Sequence, residues 1–69
     1  MNTQRNYVID KLEDILTSDT RFSVQFDTNK LTVFKNNHFW DEFKDKPYFE
    51  LIELFITEYH KFKVEKELY

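Results

Sequence analysis

Apolar residues recur at two different periods along this chain, and each change of period marks an element. Over residues 3–17, Val8, Leu12, Ile15 and Leu16 fall at helical spacing, with Ile9 on the flank of the same arc. Tyr7, Asp10, Lys11, Glu13 and Asp14 take the other face, and Asn2 or Thr3 is placed to cap the helix. The polar run Thr17-Ser18-Asp19-Thr20 ends it.

From Arg21 the period drops to two. Phe22, Val24 and Phe26 alternate with Ser23, Gln25 and Asp27, as a half-buried strand requires. Asp27-Thr28-Asn29-Lys30 reads as a turn, with Thr28 resisting a positive φ and Asn29 tolerating one, so a four-residue loop built on a type I turn is expected rather than a tight type I′ turn. The turn pairs Phe26 with Leu31 and Val24 with Val33, which gathers the apolar residues of a hairpin on one face. Phe34 falls on the opposite face, near Ser23, Gln25 and Thr32.

Asn36-Asn37 suits the cap of a short helix over 38–45, with Phe39, Trp40 and Phe43 on one side and His38, Asp41, Glu42 and Asp45 on the other. Pro47 interrupts that helix and opens another, expected to run to about residue 66 over roughly 30 Å. Its apolar residues, Tyr48, Phe49, Leu51, Ile52, Phe55, Ile56, Tyr59 and Phe62, span an arc of about 160°, wide for a surface helix. Acidic residues come early (Glu50, Glu53, Glu58) and lysines late (Lys61, Lys63, Lys66), as the helix dipole favours. The expectation is an α+β domain of order α-β-β-α-α: an antiparallel hairpin packed against two or three helices, with residues 1–69 forming one unit.

Composition sharpens this picture by exclusion. None of the 69 residues is Gly, Ala or Cys, while thirteen are aromatic. Lack of glycine removes the phosphate-cradling loops, which need backbone without a Cβ beside the ligand. Lack of cysteine removes thiolate catalysis, zinc fingers and disulfides. Sixty-nine residues is near the lower limit for a domain without such staples, and rings burying roughly 150–250 Å² each compensate. Phe, Tyr, Ile, Asn and Lys total 29 residues against three for Gly, Ala, Arg and Pro, the bias of an AT-rich genome. A phage or mobile element of an AT-rich host fits that bias. No apolar run approaches the roughly 18 residues of a membrane span, and a cytoplasmic location is expected.

Candidate chemistry is sparse. His38, Asp41, Glu42 and Asp45 would share one face of a helix, but a solvated face is the expectation, with no catalytic residue, cofactor or metal site. Charge is uneven: residues 21–36 carry three basic groups against Asp27, and residues 37–60 carry six acids against Lys44 and Lys46. The net charge of −3 argues against a general nucleic-acid binder. These features point to a small non-catalytic protein-binding module, an inhibitor or regulator of a larger protein that handles nucleic acid. Asp10, Asp14, Asp41, Glu42 and Asp45 would steer the partner, and Phe34 and Leu54 would anchor it. A homodimer through residues 48–69 is a further expectation, because surplus apolar surface on the last helix would need cover. The alternative is a dimeric nucleic-acid-binding regulator using the basic hairpin.

Overall fold

Helix α1 (Thr3–Ser18) stops where the Asp19 amide donates to the Ile15 carbonyl at 2.8 Å, and the chain turns directly into a sheet. The computed structural model describes residues 3–67, with side chains from Tyr7 onward. Asn2, one of the two expected caps, and the terminal Leu68 and Tyr69 lie outside the described residues. Strands β1 (Phe22–Asp27), β2 (Lys30–Lys35) and β3 (His38–Lys44) form an antiparallel sheet in the order β1-β2-β3. Helix α2 (Tyr48–Phe62) follows and runs on through a π-type turn, Lys63–Glu67.

The hairpin has the expected register, Phe26 opposite Leu31 and Val24 opposite Val33. Only Thr28 and Asn29 connect its strands, two residues in place of the expected four-residue loop, because Asp27 and Lys30 pair in the ladder. Thr28 keeps a negative φ and Asn29 enters the left-handed region at 53°. In a chain without glycine, this position falls to the residue type that tolerates it next best.

The second turn corrects the expected element order. Asn36 and Asn37 both take left-handed φ, 54° and 66°, and Lys35 pairs with His38 across them. Two consecutive positive φ values make a two-residue hairpin turn of primed type, whose twist matches that of the flanking strands. Residues 38–44 therefore return as a strand, not as the expected short helix, and the order is α-β-β-β-α within the expected α+β class. A bulge hides the alternation that would have announced β3. Between Val33 and Phe34 the register slips by one, so that Trp40 and Asp41 together oppose Val33.

The bulge turns Trp40 onto the helix-covered face, where its ring meets Phe22 at 5.1 Å, Phe62 at 5.9 Å and Phe55 at 6.2 Å between centroids, each edge-on. Phe43, opposite Leu31, lies on the same face. Helix α2 is wedged between α1 on one side and β2 and β3 on the other. Leu31, Val33, Leu51 and Phe55 are fully buried there, with Val8, Leu12 and Ile15 of α1 closing the far side. Each such side chain contributes about 1.5–3 kcal/mol of transfer free energy. The wide arc of α2 thus finds cover from two directions, and its exposed apolar residues reduce to Tyr48 and Leu54, with Val64 beyond its end.

Pro47 sits at the start of α2 with φ −59°, and its carbonyl accepts from the Glu50 and Leu51 amides. The Tyr48 hydroxyl donates to the Asp27 carbonyl, and its ring lies edge-on to Phe26 at 5.5 Å. The Asp45 amide donates to the Asn29 carbonyl at 2.9 Å, so the β3–α2 connection is tied to the first hairpin turn.

Candidate functional site

Both helices lie on one face of the sheet, so side chains of opposite parity are left on the other. Ser23, Phe34 and Phe39 form one row across this outer face, since Phe34 is paired with Ser23 on β1 and with Phe39 on β3. Gln25, Thr32 and Glu42 form the next row, and Asp27, Lys30 and Lys44 the third. Phe39 is 63% exposed and Phe34 is half-buried beside it. Lys30 and Lys44 face each other as like charges, relieved by Glu42, whose carboxylate lies 3.8 Å from the Lys30 ammonium, and by Asp27 across the other strand. The face is aromatic at one end and charge-balanced at the other.

Phe34 and Glu42 are the two expected site residues that lie on this face. Strand alternation puts Asp41 on the face opposite Glu42, and its Oδ1 accepts the Glu42 amide at 2.7 Å. It lines a shallow cleft of about 330 Å³ with Trp40, Glu58, Lys61 and Phe62 on the β3–α2 flank. Asp45 has φ 69° and serves the backbone of the connection. Asp10 and Asp14 are exposed on α1, and Leu54 is exposed on α2 among Lys46, Glu50, Glu53 and Thr57. The seven do not form one site. Phe39 was assigned to the apolar side of a helix. Reading Asn36-Asn37 as a hairpin turn would have placed it opposite Phe34.

The strand also disperses His38, Asp41, Glu42 and Asp45. Among the described residues no group of three or more His, Asp or Glu is arranged to hold a metal ion.

The strongest electrostatic cluster lies at the α1–β1 corner and fastens the end of the chain. Arg21 places its guanidinium fork on Asp19, at 2.8 and 2.6 Å, and on Glu67, at 2.6 and 2.9 Å. The buried Tyr59 hydroxyl donates to Asp19 Oδ2 at 3.1 Å, and Lys63 reaches Glu67 at 3.2 Å. The guanidinium also lies over the rings of Phe22 and Phe62, 5.7 and 5.8 Å from their centroids. Hydrogen bonds from Arg21 hold the carboxyls of Asp19 and Glu67 at about 2, below their ordinary values of 3.8 and 4.5. The same bonds push Arg21 above its ordinary range. Burial first, and then the bond to Asp19, raises Tyr59. Each charged group is matched by a neighbour, which is the arrangement of a structural clasp.

No helix among the described residues is long and apolar enough to cross a membrane. The chain matches no protein-family model, no curated protein and no solved structure.

Proposed function

We propose that this chain is a non-catalytic protein-binding module, an inhibitor or regulator that occludes a surface of a larger protein with the outer face of its sheet. The observation that carries the reading is the cross-strand pair Phe34–Phe39, with Phe39 63% exposed on a face that neither helix covers. Exposed rings within a polar rim are the form that interface anchors take, and Ser23, Gln25 and Thr32 supply that rim. A standard interface buries about 800 Å² per partner, more than three short strands offer, so the contact extends onto the β3–α2 flank. There Asp41 and Glu58 line the cleft, and the acids of residues 37–60 taken together, six against two lysines, steer a basic surface such as that of a protein that handles nucleic acid. Self-association through residues 48–69 would rest on Tyr48, Leu54 and Val64.

The ring pair also favours a second reading, a stacking platform for single-stranded nucleic acid. The pairing of Lys30 with Glu42 and the presence of Asp27 on the same face weigh against it, because both reduce the positive charge that a phosphate backbone needs.

One experiment separates the two. Tagged protein and its Phe39→Ser variant are used to capture partners from nuclease-treated lysate of an AT-rich bacterial host, and both are titrated with a single-stranded oligonucleotide at two salt concentrations. A stoichiometric protein retained by the parent and lost by the variant supports the first reading. Salt-sensitive oligonucleotide binding lost in the variant supports the second. Partners retained equally by both proteins overturn the assignment of the outer face.

A further inference from the structure

Strand β1 is an edge that nothing in the described structure closes. The Asn36 amide donates to the Arg21 carbonyl at 2.8 Å, which makes Arg21–Asn36 a hydrogen-bonded pair. Alternation in an antiparallel ladder then makes Ser23–Phe34, Gln25–Thr32 and Asp27–Lys30 the other hydrogen-bonded pairs. The amides and carbonyls of Phe22, Val24 and Phe26 therefore point away from β2. The Phe22 amide turns back to the Asp19 carbonyl at 3.3 Å, and the rest of this row faces outward.

β2 is the one element that packs extensively along β1, whereas α2 lies over β2 and β3. The devices that protect edges are missing here. β1 has no proline, no lysine and no bulge, and residues 22–26 are uncharged. The other edge, β3, carries both a bulge and charges. The side chains beside the open edge are also incompletely covered, with Val24 half-buried and Phe26 43% exposed.

We infer that β1 pairs antiparallel with β1 of a second copy of this chain, joining two sheets into one of six strands. A two-fold axis through Val24 sets Val24 against Val24, Phe22 against Phe26 and Ser23 against Gln25. In that register the outward-facing residues meet outward-facing residues. Each Val24 amide donates to the other Val24 carbonyl, and each Phe26 amide donates to the Phe22 carbonyl of the second copy. Phe26 gains a ring opposite it, and no like charges meet along the strand. Asp27 falls at the corner of the second copy where Arg21, Lys35 and Lys63 outnumber Asp19 and Glu67. Because the axis is perpendicular to the sheet, the helices of both copies share one side. The two Phe34–Phe39 pairs share the other, which doubles the outer face for a partner.

Ser23 and Gln25 are exposed on the outer face and oppose each other only across this axis, so they test the register without touching the core. Sedimentation equilibrium of the untagged chain, 8.6 kDa as a monomer, at concentrations from about 1 μM to 1 mM is expected to show reversible dimerisation. The double variant Ser23→Lys/Gln25→Lys sets lysines against lysines and is expected to be monomeric, with unchanged far-ultraviolet circular dichroism. Ser23→Lys/Gln25→Glu sets lysine against glutamate at the same two positions and is expected to dimerise as the parent does. A parent that stays monomeric throughout overturns the inference, and so does a dimer that survives the double-lysine change. Loss of the dimer in the lysine–glutamate variant overturns the proposed register.

Discussion

Trp40 stands edge-on to Phe22, with ring centroids 5.1 Å apart and planes at 83°, and this contact fastens β3 to β1 across the core. Phe22 also meets Tyr59, Phe55 and Phe62, so the rings of β1, β3 and α2 form one cluster. Trp40→Ala removes one wall of it. Because Trp40 is only half-buried, the expected loss falls below the 3–5 kcal/mol of a fully buried ring, at about 2 kcal/mol. Urea denaturation followed by circular dichroism measures it, and Phe39→Ala, on the solvent side of the same strand, is expected to change stability by less than about 0.5 kcal/mol.

The left-handed asparagines give a prediction of opposite sign. At Asn37, φ 66°, glycine carries no Cβ penalty, and Asn37→Gly is expected to be neutral or stabilising by a few tenths of a kcal/mol. Asn37→Ala is expected to cost about 1 kcal/mol, since alanine is strained in that region. A helix beginning at residue 38 with Asn37 as its cap would tolerate Asn37→Ser, whereas a turn that needs a positive φ there loses stability with serine as with alanine, so the serine midpoint also tests the strand assignment.

Acid sensitivity follows from the clasp. Asp19 and Glu67 have folded values near 2, below their ordinary values of 3.8 and 4.5. A lowered folded value means that the stabilisation is fully present above pH 4.5 and is lost as pH falls towards 2. Asp19→Asn removes part of this dependence. The urea midpoints of parent and variant are expected to differ at neutral pH and to converge near pH 2. Parallel curves over that range would contradict the role given to the Arg21–Asp19 bonds.

The centre of the core sets the upper end of the scale. Phe55 is fully buried and touches Phe22, Trp40 and Tyr59, and Phe55→Ala is expected to cost about 3–5 kcal/mol. In a 69-residue domain that loss is most of the expected stability, so thermal unfolding below physiological temperature is the anticipated outcome.

The local patterns of the sequence determined α1, the first hairpin with its register, and α2 from Pro47 onward, because each depends on residues within about one or two turns or strands of one another. They also determined that residues 3–17 and 48–62 each have an apolar side, and that Phe34 stands apart from the core set. The third strand was decided elsewhere. Asn36-Asn37 serves a helix cap and a primed turn equally well on local grounds, and the bulge at Trp40 erased the alternation of 38–44. Packing settled the choice: as a strand this segment delivers Trp40 to Phe22 and Phe55 and lays Phe43 against Leu31, contacts that no short helix after Asn37 was positioned to make. The same decision scattered the acids expected on one helical face and set Phe39 beside Phe34. Which exposed residues stand together is a relation between strands, and only the tertiary structure fixed it.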